Sequence, residues 1–300
     1  MQSVYLKSDW SIRKISKYLL LTLIPLVLGG FYKNGISLYL NDYVNAHQMF
    51  RPLIISLIGF TIGILVNLIY EYLIRRKKDT FLNTVFSSFH PVYGLLIASV
   101  VSINTNILLF TSLTFALMLF SKYFKRIRIN VVALFALIII LIDSLGGSYT
   151  FLNAREVATT LHPSFFSYLL GMGTGGINTT YLIFLILSVI VLAHQDYYKK
   201  SIPLFSMITY GVCIIFYGLF TNNVSGIMPN LFNYSILFCF IYLAPDSMAS
   251  SYTKRGQMIF GTFVGLVTFG LFLVYPPFAA IGAILFVSII NKQIDQLCLQ

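Results

Sequence analysis

Apolar runs long enough to cross a bilayer as helices recur along the whole 300-residue chain, each closed by a short polar or basic break. Ten can be read: 18–31, 53–74, 82–101, 107–124, 129–143, 164–193, 202–220, 231–243, 258–275 and 278–290. A crossing helix needs about 20 mostly apolar residues. The pattern therefore predicts an all-α, polytopic integral membrane protein with about ten transmembrane helices in a single membrane domain over residues 1–300. Two runs are irregular. The third has His90-Pro91 at its middle, and the sixth, the longest, is interrupted by GMGTGG at 171–176.

Composition agrees with the pattern and charge orients it. The chain is 58% apolar and 10% charged, with mean hydropathy +0.84, against roughly 25% charged residues in a soluble domain. The net charge of +11 could suggest nucleic acid, but its placement excludes that partner. With both termini cytoplasmic, every Lys and Arg except Lys33, Arg51 and Arg155 falls in a cytoplasmic segment, as the positive-inside rule requires. Ten spans divide into halves, 1–150 and 151–300. Five spans in each would make two inverted repeats, an arrangement often built around a midplane site. The first apolar run lacks a small-residue cleavage site and more spans follow, so no cleavable signal peptide is expected. The bilayer of the plasma membrane is the expected surrounding.

The inventory of reactive side chains excludes several chemistries. Cys213, Cys239 and Cys298 have no CxxC spacing and read as packing residues. His90 and His162 lie far apart in the chain, and His47 and His194 are interfacial, so no facing pair for haem is evident. There is no Cys/His metal motif, nucleophile elbow or phosphate-binding loop, and no catalytic residue or metal ligand is assigned.

Two stretches remain as candidate sites. In FIYLAPDSMASSYTKRGQMIFG, at 240–261, Asp246 sits at the lip of a membrane helix beside Pro245 and a short polar loop. An acid so placed is costly and reads as a site; it reads equally as an interfacial residue paired with Lys254 or Arg255. The glycine run at 171–176 breaks a membrane helix and liberates backbone groups that need partners. A flavin, a water-filled cavity or close helix packing would each supply them, with Asn178, Thr179 and Thr180 as polar contacts in the first two cases.

The first of these stretches resembles the signature loop of the RnfD/NqrB family, the related membrane proteins of Rnf complexes and of sodium-pumping NADH:quinone oxidoreductase. That loop is an Ala-Thr-Asp-Pro-Val-Thr-Ser-Pro type sequence followed by Lys-Gly-Gln. Ala244, Asp246, Ser250, Thr253 and Gly256-Gln257 fall in register, while Pro245, Ser247 and Ala249 replace a threonine, a proline and a threonine. The segment from Tyr93 (YGLLIASV) is similar to the family's Thr-Gly-Leu-Leu-Leu-Ala-Leu element. The segment 124–133 keeps the asparagine, Asn130, and the alanine of a Gly- and Asn-rich stretch. Residues 173–180 (GTGGINTT) are similar to a Gly-Ser-Leu-Gly-Glu-Thr-Ser loop, without its glutamate.

The resemblance implies two inverted five-helix repeats and a flavin, FMN or riboflavin, near Asp143, Ser148, Thr150, Gly173, Thr174, Gly175, Asn178, Thr179 and Asp246. Members of the family carry a flavin on a threonine in an outer loop of Asp-x-x-Ser-Gly-Ala-Thr type. The counterpart DSLGGSYT at 143–150 has Tyr149 in the threonine position and Thr150 one residue later; it also reads as an outer loop of turn formers. The function so implied is a membrane electron-transfer subunit of a flavin-dependent oxidoreductase complex. It would move electrons between a quinone or partner redox subunit and an extracytoplasmic flavin acceptor, as in flavin-based extracellular electron transfer. The expected partners are other membrane or lipoprotein redox subunits. A transporter or channel on the same scaffold without a redox centre is the alternative, and a purely structural subunit the third reading.

Overall fold

The computed structural model describes residues 11–74, 85, 87–125, 128–145 and 165–299. Among the described residues the chain is helical, without strands. Its main helices are α1 (Ile12–Phe31), α2 (Arg51–Ile69), α3 (His90–Val100), α4 (Ile107–Lys125), α5 (Val131–Leu145), α6 (Phe165–Leu169), α7 (Leu182–Ala193), α8 (Ser201–Phe220), α9 (Ile227–Phe232), α10 (Ile236–Leu243), α11 (Lys254–Val274) and α12 (Ala279–Leu299). Among the described residues, five helical stretches are long and apolar enough to cross a membrane. A sixth candidate is the pair Val224–Phe232 and Ile236–Leu243, bent by 46°. Four shorter apolar helices, among them α3, α5 and α7, complete the set.

Three of the expected spans are corrected by local chemistry. His90-Pro91 does not interrupt a helix but begins α3. Proline fits the first helical turn because its missing N–H would have no partner there. The run 164–193 is two helices, α6 and α7, separated by an irregular stretch at 170–181. The run 231–243 straddles the bend of this pair at 233–235, and only Ile236–Leu243 continues as its second limb. The first helix is longer than expected. It starts at Ile12 behind the N-cap Ser11, whose side chain accepts from the Lys14 N–H, and runs through a π turn to Leu40.

Helices approach closely where side chains are small. α2 packs on α3 and α4, α8 on α11, and α11 on α12. A methyl group on Gly59 or Gly94 would overlap the other's carbonyl oxygen, so the α2–α3 crossing depends on both. Gly261 and Gly265 of α11 lie likewise against the carbonyls of Ile202 and Ser206 in α8. Small residues matter here because between helices in lipid, packing and hydrogen bonds replace the hydrophobic effect as the driving force. α1 on α7 and α5 on α12 join helices of the first half to helices of the second. The outward face of α8 (Leu204, Ile208, Val212, Ile215, Phe216 and Leu219) is exposed and apolar, as a lipid-facing helix must be.

Candidate functional site

Polar side chains collect at the two ends of the bundle, and the helix breaks decide where. At one end lies the irregular stretch 170–181. Its backbone cannot bond to itself as a helix does, so partners come from four other helices or their ends. The Thr174 N–H donates to Asn233 Oδ1 at 2.8 Å, and the Thr174 carbonyl accepts from the Tyr234 N–H at 2.7 Å. The Gly176 N–H donates to Ser235 Oγ at 2.8 Å, which also bonds Thr179 Oγ1 at 2.7 Å. The N–H groups of Ile177 and Asn178 donate to the carbonyls of Val101 and Ser99. Asn34 Nδ2 donates to the Ile177 carbonyl at 2.9 Å. Lys33 Nζ donates to the Gly173 carbonyl and to Thr180 Oγ1. Asn178 Nδ2 reaches Ser56 Oγ at 2.9 Å and Ser99 Oγ at 3.2 Å. Gly171 has φ +87°, which a side chain would strain. Tyr234 and Ser235 have φ +60° and +62°, a conformation non-glycine residues rarely adopt, and the bonds across the break hold them there.

Asp143 stands near the same end, 2% exposed, and accepts from Thr105 Oγ1 at 2.7 Å. Arg51 Nη2 donates to the carbonyls of Asn104 and Thr105, fixing the α3–α4 connection on which that contact depends. Two of the three basic residues outside the cytoplasmic set thus have local reasons for their positions: Lys33 and Arg51 each bind liberated carbonyls. Thr150, Ser148 and Arg155 lie outside the described residues.

At the other end, near Arg128 and Lys199, which both lie against the Tyr252 ring, a narrow cleft with about 60 Å³ of room inside it enters the bundle. Ile15 and Leu19 of α1, Phe89, Val92, Tyr93 and Leu96 around α3, and Asn130 and Val132 at the start of α5 line it. Tyr197, Tyr198, Ile241, Tyr242, Leu243, Pro245, Asp246 and Ser247 close it. Asp246 hydrogen-bonds the Tyr93 hydroxyl, joining two segments far apart in the chain. Asn130 Nδ2 donates to the Leu243 carbonyl at 2.7 Å and Tyr198 Oη to the Ile241 carbonyl at 2.9 Å, so the last carbonyls of α10 are capped by side chains. Burial pushes the phenols of Tyr197 and Tyr198 up, so both remain protonated donors near neutral pH.

Beside this cleft, His90 bonds Ser88 Oγ at 2.6 Å through Nδ1 and Ser121 Oγ at 2.9 Å through Nε2. Ser88 Oγ in turn donates to Asn67 Oδ1 at 2.7 Å. The histidine thus ties together α2, α3 and α4. Among the described residues no group of three His, Cys, Asp or Glu side chains could hold a metal ion.

The candidate residues therefore divide. Gly173, Thr174, Gly175, Asn178 and Thr179 come together at one end, with Asp143 near the same end, and Asp246 stands alone among them at the other. The sequence reading missed the companions of Asp246: Tyr93, Tyr197, Tyr198, Tyr242 and Lys199. A signal existed in Tyr197-Tyr198-Lys199-Lys200, two aromatics and two bases at one helix connection. Asn130 had one too, since it is the asparagine retained from the resembling stretch.

Comparison with known proteins accords with the loop at this cleft. A model of the NQR2, RnfD, RnfE family matches residues 1–300. The chain belongs to this family. It is a multi-pass membrane protein of the cell membrane. One relative is the D subunit of the ion-translocating oxidoreductase complex of Mannheimia succiniciproducens, 31% identical over 135 residues. That match covers 43% of this chain and 36% of the relative, so the chain matches little more than a third of the relative's length.

Proposed function

We propose that this protein is a membrane subunit of an ion-translocating oxidoreductase complex of Rnf or Nqr type, and that it passes electrons through a flavin or quinone seated in the Asp246 cleft. The observation that carries the proposal is the convergence of the family's signature loop with Tyr93, Tyr197, Tyr242 and Asn130 on one opening. The donor set fits such a ring. A carboxylate can accept from an imide N–H of a flavin, phenols can donate to carbonyl oxygens, and Phe89, Val92 and Leu96 offer apolar faces. The flavin or quinone would supply the redox chemistry; the chain would bind it, orient it and exclude water. The five long helices, the bent pair and the four shorter apolar helices, read as one crossing each, would make ten, a count that supports the ten-span reading with both termini cytoplasmic. The cleft then faces the cytoplasm.

A second flavin, on Thr150 near Asp143 and Ser148, would mark the opposite end of the route. Gly173, Thr174, Gly175, Asn178 and Thr179 would then stiffen the scaffold behind it. The partners are other membrane or lipoprotein redox subunits. The test is the absorbance and fluorescence of the protein purified in mild detergent, before and after acid precipitation. Flavin released by acid, and reduced several-fold in Asp246→Asn and Tyr93→Phe, is the expected result. Flavin retained in the pellet and lost in Thr150→Ala would identify covalent attachment. A colourless protein that carries cations across vesicle membranes would favour a transporter or channel instead, a reading to which the helix broken at 170–181 lends support.

A further inference from the structure

The connection between α10 and α11 folds around one ammonium group. Lys199 Nζ lies 2.8 Å from Ser250 Oγ, 2.9 Å from the Ser250 carbonyl and 3.3 Å from the Ser247 carbonyl. It also sits 4.7 Å from the centre of the Tyr252 ring. An ammonium has three donors, and these three oxygens can take all of them while the aromatic face covers a further side. Asp246 and Asp295 stabilise the charge from within the loop and from α12. Ser250 Oγ donates to the Asp246 carbonyl, and Ser251 Oγ together with the Tyr252 N–H donates to Asp295. Every oxygen ligand of the ammonium therefore belongs to a loop that is itself tied on both sides.

A lysine at a membrane interface normally turns its charge to water, since its stem is long and flexible. Lys199 turns inward, at a cost: burial lowers its pKa from 10.5 to about 8, with Asp246 and Asp295 opposing the shift. The geometry is that of an ion cage. An ammonium and a potassium ion are alike in charge and size, so oxygens arranged for one suit the other, whereas magnesium and calcium need contacts of roughly 2.0–2.6 Å. These ties are made within the protein, so the inference does not rest on the flavin reading.

We propose that the loop 246–252 is a monovalent-cation cage that the protein fills with its own Lys199 ammonium, and that the trapped charge positions Asp246 and the adjoining cleft wall. Lys199 is then a positioning residue, doing permanently what a bound potassium ion would do reversibly.

Removing the amine while leaving the cage tests this. Lys199→Ala and Lys199→Met would be compared with the wild type by thermal unfolding of the full chain in detergent. The solutions would be potassium, ammonium, sodium, calcium and N-methylglucamine chloride at equal ionic strength. The wild type is expected to be indifferent to the cation. The variants should unfold several degrees lower in N-methylglucamine chloride, and potassium or ammonium should restore them saturably while calcium does not. Equal unfolding of the variants in every salt would overturn the proposal, as would equal restoration by all salts. Should neither variant fold, Ser250→Ala gives the answer through acetylation of Lys199 followed by mass spectrometry. Removal of one cage ligand should raise its reactivity several-fold, and unchanged reactivity would overturn the proposal.

Discussion

The break at 170–181 and the loop at 244–253 are both interruptions of membrane helices, and they are resolved in opposite ways. At the break, backbone groups liberated from the helix close on protein: Asn233 and Ser235 from the α9–α10 bend, Ser99 and Val101 from α3, Lys33 and Asn34 from the end of α1. At the loop, α10 ends in capped carbonyls, but the side chains around it converge on a cleft. The glycine-rich irregular stretch is therefore satisfied by bonds within the protein. The mixture of an acid, several tyrosines and a half-buried lysine surrounds the cleft proposed to take a ligand.

This contrast predicts that substitutions at the break cost stability while those at the cleft cost binding. The largest effect is expected from Gly176→Val. Even a methyl group there would overlap the Val100 and Ser99 carbonyls, so the variant should lose about 3 kcal/mol or fail to accumulate as folded protein, read by thermal unfolding and yield. Ser235→Ala comes next. It leaves the buried Gly176 N–H without its acceptor, and a loss of about 2 kcal/mol is expected; no loss would mean that the two interruptions are not mutually supporting. Lys33→Met should cost about 1 kcal/mol, because its charge-assisted bond to the Gly173 carbonyl is only half-buried.

Asp246→Asn reverses the pattern. Its unfolding midpoint should change by the equivalent of less than about 1 kcal/mol, yet the flavin recovered per protein should fall several-fold. Parallel loss of stability and flavin would erase the distinction between the two regions. A pH dependence carried by Lys199 sharpens the same comparison. Its folded pKa of about 8 lies below the ordinary 10.5. Between those values the unfolded chain holds a proton that the folded chain has released, so stability from this group rises with pH. Below pH 8 both states are protonated and the slope vanishes. The difference between wild type and Lys199→Met across pH 7–10 isolates the term, and a wild-type curve that falls relative to the variant would contradict it.

Much of the architecture was legible in the chain because hydropathy and helix punctuation act locally. The apolar runs located the helices, and the small residues of 171–176 announced that the sixth run would not be continuous. Pro91 could be read either way, since a proline fits a helix start and a kink alike; only the packed chain places it in the first turn of α3. The bend at Tyr234-Ser235 had no local signal, because non-glycine residues take positive φ only when outside contacts enforce it. Asp246 was found because an acid at a helix lip is costly in any context. Tyr93 was passed over because a tyrosine in an apolar helix is ordinary until its hydroxyl meets an acid.

The sequence by itself determined the membrane class, the positions of most helices and the membership implied by the loop at Asp246. Each depends on free energies of transfer or local backbone preference, which a short window of residues already carries. The tertiary structure alone decided which partners satisfy each interruption. Lys33 meets Gly173 across 140 positions and Lys199 meets Ser250 across 51. Such pairs form only after helices have packed, because a polar group removed from water takes whatever donor or acceptor the fold brings within about 3 Å.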